Sequence, residues 1–181
     1  DGPTCRLTAP GVIDLETLQR MSQFMVLLVC TGNTCRSPMA EAILRDLLSK
    51  RFPKLFAGKM PPAMIASAGL SAFPGGPAAS EAISVMKKRG LNLHSHQSHS
   101  ITERTLRQAD LILAMTNSHR SAIVERIPEL SSKVHLISGG SSDVSDPFGG
   151  DESGYEVCAD ELTQYLGTWL NMFEESWFPD W

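Results

Sequence analysis

The sequence is short of cysteine, with four in 181 residues. Cys5, Cys30, Cys35 and Cys158 are too few and too scattered to staple a secreted disulfide scaffold, and a chain of this length buries a core without one. It lacks any run of five or more basic residues, and its formal net charge is −4. A polyanion binder is therefore excluded as the default, and no nucleic-acid partner is expected. It also lacks a long apolar run: the longest, Phe24 to Cys30, is far too short to span a bilayer, so no membrane partner is expected. No charged segment followed by an apolar stretch and a small-residue cleavage site opens the chain. The expectation is a cytoplasmic protein whose thiols are reduced and free to react. Repeats and low-complexity tracts are absent as well, and the length suits a single domain.

What is present is concentrated between Phe24 and Leu48. An apolar run, Phe24-Met25-Val26-Leu27-Leu28-Val29, leads into Cys30-Thr31-Gly32-Asn33-Thr34-Cys35-Arg36-Ser37-Pro38 and then into a segment of helical periodicity. A strand that ends in a small polar loop opening a helix aims the loop's N–H groups at whatever lies above the strand, and that arrangement binds an anion. The spacing Cys30-x5-Arg36 adds chemistry to binding. A loop of five residues lets the arginine fork grip two oxygens of a phosphate while the thiolate faces the phosphorus. The helix N-terminus, the loop N–H groups, Arg36 and the Ser37 hydroxyl all favour the thiolate, which is the nucleophilic form of cysteine. Gly32 permits close approach of backbone to phosphate, and Asn33 tolerates the left-handed conformation such a loop needs.

The helix after the loop is expected to start with Ser37 as N-cap and Pro38 at its first position, burying Met39, Ile43, Leu44, Leu47 and Leu48. A connection over residues 51–62 precedes a strand over Met64–Ala68, ended by Gly69. A turn at Pro74-Gly75-Gly76-Pro77 leads to a helix over Ala79–Arg89, stopped by Gly90. After a histidine-rich loop, Thr102 caps a short helix through Ala109, and Leu111–Met115 is a third strand. Ser118–Arg126 is helical, Lys133–Ile137 is a fourth strand, and residues 139–154 form a long polar loop of the kind that is usually functional. A last helix is expected from Tyr155 to Trp177. Strands alternating with helices predict the α/β class: a three-layer sandwich with a four-stranded, doubly wound parallel sheet. Ligands in such sheets bind beyond the carboxyl ends of the strands, where Cys30 falls.

The segment Val29 to Pro38 resembles the signature loop of the low-molecular-weight protein phosphatases. The similarity extends to Ser67-Ala68-Gly69, to Ala109-Asp110-Leu111-Ile112-Leu113-Ala114-Met115 and to Asp146-Pro147-Phe148. The resemblance implies Cys30 as nucleophile, Arg36 as phosphate clamp and Asp146 as general acid, with Thr31, Gly32, Asn33, Thr34, Cys35, Ser37 and Phe148 around the substrate. It implies Ser67 and His96 as braces of Asn33, a phosphorylated protein as partner, and no cofactor and no metal. Thr31, Thr116 and Phe148 depart from the tyrosine-specific members and resemble the bacterial branch acting on phosphoarginine in proteins. A β-branched, hydroxylated residue narrows the pocket against a flat phenyl ring and offers a guanidinium a polar contact. Phosphotyrosine is the alternative substrate. By a separate and shorter resemblance, Arg6 to Leu18 is similar to the end of threonylcarbamoyl-adenylate synthase domains. This would make residues 1–22 an N-terminal arm, either the tail of a preceding domain or a flexible extension, and residues 23–181 the phosphatase domain.

Three other readings compete. Cys30-x4-Cys35 with His94, His96 and His99 has zinc-like spacing, but Arg36 beside the site repels a cation. Arsenate reductases share the loop type yet need two further cysteines after the second helix, where Leu91 to Ser100 has none. A phosphate-binding module without catalysis would not need Cys30, Arg36 and Asp146 together. Cys35 is read equally as packing and as a partner that traps oxidised Cys30 in a disulfide.

Overall fold

The computed structural model describes residues 14, 17–18, 22–57, 61, 63–140 and 142–178. Its elements in chain order are β1 (Phe24–Cys30), α1 (Arg36–Arg51), α2 (Pro53–Phe56), β2 (Ala63–Gly69), α3 (Ser80–Lys88), α4 (Glu103–Gln108), β3 (Leu111–Ala114), α5 (Asn117–Arg126), β4 (Val134–Leu136) and α6 (Glu152–Leu170). Short 3₁₀ turns follow α5 and α6 at Pro128–Leu130 and Glu175–Trp177. Most of the N-terminal arm expected at residues 1–22 lies outside the described residues. Within it, Asp14 Oδ1 accepts from Thr17 N at 2.7 Å, the bond of a helix N-cap.

The strands pair in the order β2-β1-β3-β4, all parallel. Connections leave β1 toward β2 on one side and reach β3 on the other, so the strand order reverses beside β1. That reversal opens a crevice at the carboxyl ends of β1 and β3. Alternate residues of β1 serve opposite faces of the sheet. Val26 and Leu28 pack with Met39, Ile43 and Leu44 of α1 and with Leu162 and Leu166 of α6. Met25, Leu27 and Val29 pack on the other face with Leu106, Ile123 and Ile127. A strand that is apolar at every position is thus covered on both sides, which is why β1 reads as a continuous hydrophobic run.

Three local expectations need correcting. Ser37 is not an N-cap: α1 begins at Arg36, with Cys35 in the capping position and no side-chain cap bond. The Ser37 hydroxyl is engaged inside the loop instead, which leaves the first-turn N–H groups of the helix available to an anion. The connection over residues 51–62 contains the short helix α2. The last helix starts earlier than Tyr155, because Asp151 caps it by accepting from Gly154 N at 3.2 Å, and it ends at Leu170, well before Trp177. A straight continuation would carry the terminal rings about 10 Å further along the axis. The chain turns instead, and Phe173 and Trp177 pack on Phe24 at centroid separations of 6.2 and 5.5 Å.

Gly69 joins the sheet to the loop after β1. It pairs with Cys30 in the β1–β2 register, donates to His99 O at 2.9 Å and accepts from Ile101 N at 2.9 Å. A Cβ here would lie 2.5 Å from Thr31 O, 2.9 Å from Ala72 Cβ and 3.0 Å from Asn33 N. Gly69→Ala should therefore cost about 1–3 kcal/mol in urea unfolding and weaken inorganic phosphate binding by displacing the loop. Gly167→Ala, in a helix with open space around the position, should be neutral or gain up to about 1 kcal/mol. A Gly69→Ala protein as stable and as tight for phosphate as the wild type would contradict this packing.

Candidate active site

Cys30 closes β1 and is buried, with Sγ 2.9 Å from Ser37 Oγ and accepting from Asn33 N at 3.2 Å. The loop that follows is oriented by four carbonyls, those of Cys30, Thr31, Asn33 and Thr34. Cys30 O accepts from Leu70 N at 3.0 Å, Thr31 O from Ser71 N at 2.9 Å, and Thr34 O from Ala79 N at 2.9 Å. Asn33 O accepts from His96 Nε2 at 2.8 Å. In a trans peptide the carbonyl and the following N–H point in opposite directions. With these four carbonyls turned outward, the N–H groups of Thr31, Gly32, Thr34 and Cys35 face the loop's interior, beside the thiol and at the start of α1. Such a ring of inward donors is suited to binding one anion.

Asn33 holds that ring in shape. It has the one positive φ among the described non-glycine residues, 55°, and is fully buried. Its Nδ2 donates to Ser37 Oγ at 2.8 Å and to Ser67 Oγ at 2.9 Å, and its Oδ1 accepts from His99 N at 2.8 Å. Ser67 in turn donates to Glu41 Oε2 at 2.6 Å, and Glu41 is paired with Arg45 at 2.6 Å. Because the Asn33 carbonyl must accept, His96 carries its proton on Nε2. His94 and His99 are not drawn together with the cysteines. Among the described residues no group of three or more His, Cys, Asp or Glu side chains is placed to hold a metal.

The Arg36 guanidinium is buried, donating from Nη1 to Val144 O at 3.3 Å and from Nη2 to Asp146 Oδ2 at 2.5 Å. Val144 N donates to Met115 O at the end of β3, so the long loop is tied to the sheet next to the arginine. Asp146 uses its other oxygen as a turn-former, Oδ1 accepting from Phe148 N at 3.2 Å. The turn points the carboxylate at Arg36 while leaving the side chain half exposed. Phe148 is 77% exposed at the rim. Cys35 Sγ lies 3.3 Å from Tyr155 OH. Burial raises the Cys35 thiol above its usual range, against the lowering effect of the Tyr155 hydrogen bond, and burial likewise pushes Cys158 up to about 12. Both are neutral thiols near pH 7.

Four participants were not visible in the sequence reading. His119 bonds Thr31 Oγ1 through Nε2 and Thr116 Oγ1 through Nδ1, each at 2.8 Å. Tyr155 holds Cys35, Glu41 holds Ser67, and the Val144 carbonyl receives Arg36. A signal existed for two of them. His119 shares the buried stripe of α5 with Ile123, and Tyr155 begins the stripe that runs through Cys158, Leu162, Leu166 and Trp169. A polar residue on an apolar stripe needs a buried partner.

Burial, and secondly the Arg36 charge, lower the His119 pKa below its ordinary 6.5, so the ring is neutral near pH 7. Its folded value lies below its unfolded value, so the stability tied to this group is fully present above pH 6.5. It is lost as the pH falls through the folded value, because the unfolded chain takes the proton first. Urea unfolding from pH 7.5 downward should show that loss, and His119→Gln should flatten the part of the curve just below pH 6.5. An unchanged pH slope in the variant would contradict a buried neutral ring.

The family model described as low molecular weight phosphotyrosine protein phosphatase matches residues 25–176. A protein-arginine-phosphatase of Geobacillus stearothermophilus is 37% identical over 143 residues, covering 77% of this chain and 88% of that protein. The low molecular weight protein-tyrosine-phosphatase Wzb of Salmonella typhi is 36% identical over 146 residues, covering 80% of this chain and 90% of its own length. Among solved structures, a cysteine-to-serine mutant of the YwlE arginine phosphatase with a phosphorylated active site serine superposes with a TM-score of 0.74 at 34% identity. It covers 83% of this chain and 96% of that one. With the family model spanning most of its length and the same four-stranded parallel α/β architecture in the solved relative, this chain belongs to the low molecular weight phosphotyrosine protein phosphatase family.

Proposed function

We propose that the protein hydrolyses phosphoarginine in protein substrates through a phosphocysteine intermediate on Cys30. The observation that carries the reading is the pairing of a donor-lined loop around a buried cysteine with a threonine hydroxyl at its mouth. Thr31 follows the nucleophile, is exposed, and sets its Oγ1 on His119. The solved relative that carries phosphate on its active site serine supports covalent transfer to this position. The protein-arginine-phosphatase named among the relatives supports the nitrogen-linked substrate.

In this reading the phosphoryl oxygens take the inward N–H groups of Thr31, Gly32, Thr34 and Cys35 and the fork of Arg36. The carboxylate of Asp146 occupies one arm of that fork at 2.5 Å. The incoming phosphoryl group displaces it toward the leaving group, and once released from the guanidinium it takes up a proton from solvent and can act as the general acid. The thiolate of Cys30 attacks phosphorus, the S–P bond forms, and the P–N bond breaks with its electron pair taking the proton of Asp146. Water then attacks the phosphocysteine and gives a proton to Asp146, the S–P bond breaks, phosphate leaves with the thiolate restored, and Asp146 returns its proton to solvent as it pairs again with Arg36. Arg36 and the loop dipoles are fixed before the charge develops, and this preorganisation is what lowers the barrier. Thr34 and Gly32 bring the backbone close to the anion, Ser37 shares its hydroxyl between Cys30 and Asn33, and Phe148 forms an apolar rim.

The substrate assignment is tested by kcat/KM on matched phosphoarginine and phosphotyrosine peptides. The wild type should prefer phosphoarginine. Thr31→Leu, which replaces a β-branched hydroxylated wall by a flexible apolar one, should shift the ratio toward phosphotyrosine by about tenfold or more. A wild type that prefers phosphotyrosine would leave the loop chemistry standing and overturn the substrate.

A further inference from the structure

Thr31 is exposed at the mouth of the loop, yet its side chain is tied to a buried ring. His119 lies in the first turn of α5 and is 5% exposed. Its backbone N donates to Thr116 Oγ1 at 3.2 Å, its Nδ1 lies 2.8 Å from the same oxygen, and its Nε2 lies 2.8 Å from Thr31 Oγ1. Thr116 is the N-cap of α5 and is also 2.8 Å from Ser118 Oγ. The ring is therefore clamped by the start of a helix that follows directly on β3, one of the strands flanking the crevice. The hydrogen-bonded chain Thr116, His119, Thr31 runs from the end of β3 to the residue after the nucleophile.

The consequence for Thr31 is geometric. A threonine has one stiff side-chain torsion, and its hydroxyl and methyl are fixed relative to each other on Cβ. Pinning Oγ1 to the imidazole therefore also fixes where the methyl stands at the mouth. A neutral imidazole has one donor and one acceptor nitrogen, so the Thr31 and Thr116 hydroxyls bond it in complementary senses and the chain is directional. Without the ring, an exposed threonine exchanges rotamers on a fast timescale, and its methyl and hydroxyl trade places against the substrate.

We propose that His119 is a specificity-determining positioning residue: by holding Thr31 Oγ1 it fixes the wall that separates phosphoarginine from phosphotyrosine, without touching the phosphoryl group itself. The inference rests on the reading of Thr31 as that wall. It extends the specificity filter from one loop residue to a pair anchored on α5 and assigns Thr116 the role of orienting the ring.

A double-mutant cycle tests it. The ratio of kcat/KM for phosphoarginine over phosphotyrosine peptides is measured for wild type, Thr31→Val, His119→Ala and the double variant. Thr31→Val keeps the branched volume and removes the hydroxyl. Each single variant should lower the ratio by about tenfold, and the double variant should lower it no further than either alone, since both remove one bond. Reductions that multiply in the double variant would overturn the proposal, as would a ratio that His119→Ala leaves at the wild-type value. If His119→Ala does not fold, Thr31→Val must lower the ratio by itself, and a wild-type ratio there overturns the proposal. If the wild type prefers phosphotyrosine, the substrate reading fails separately, and the same cycle read on that peptide still decides whether His119 acts through Thr31.

Discussion

The buried amide of Asn33 is the interaction on which the rest of the site depends. A non-glycine residue in the left-handed region costs on the order of 1–3 kcal/mol and persists only when its surroundings over-determine it. Here they do: both donors of the amide, its oxygen and the residue's own carbonyl are engaged by Ser37, Ser67, the His99 backbone and His96. These partners come from α1, β2 and the segment after α3, so the loop's shape is set by three separate parts of the chain. Loss of any one leaves a buried polar group unpaired, which costs more than the bond contributes. The result is a loop whose N–H groups are turned inward before any anion arrives, with Gly69 giving the clearance that the turned-out carbonyls require.

Charge placement completes the same design. Arg36 is buried and would be costly unpaired, and in the structure Val144 O and Asp146 satisfy it. The pairing holds the Asp146 carboxylate beside the guanidinium and keeps the arginine oriented. In the proposed reaction, a phosphoryl group that takes over the guanidinium releases the carboxylate to work on the leaving group. The neighbouring His119 is neutral near pH 7 because burial and Arg36 both oppose its protonation. It therefore acts as a hydrogen-bonding strut for Thr31, with no second positive charge competing for the phosphate. Cys35 is held as a neutral thiol against Tyr155 of α6.

Much of this was legible in the residues, and the reasons differ by element. β1 and the loop were plain because a continuous apolar run, a Cys-x5-Arg spacing and a following Pro38 are all local signals. The order of strands and helices followed from alternating periodicities. The end of α6 was misread because its aromatic stripe continues past Leu170, while the chain turns there to stack Phe173, Trp177 and Phe178 around Phe24 and Phe52. Ser37 looks like a helix cap in any local reading. Only the three-dimensional closeness of Cys30 and Asn33 recruits its hydroxyl elsewhere. His119, Glu41 and Tyr155 act across 88, 26 and 120 residues of sequence, and no spacing rule reaches that far.

The account turns on Cys30 carrying the phosphoryl group, and the most direct measurement is to catch it there. Enzyme quenched during steady-state turnover of a phosphoarginine peptide, digested and analysed by mass spectrometry, should show phosphate on the peptide containing Cys30, with the modified atom assigned to its sulfur. The Cys30→Ala protein should show no such species and no turnover. Turnover without any trapped intermediate, or phosphate found on Ser37 or Cys35 with Cys30 unmodified, would contradict the account.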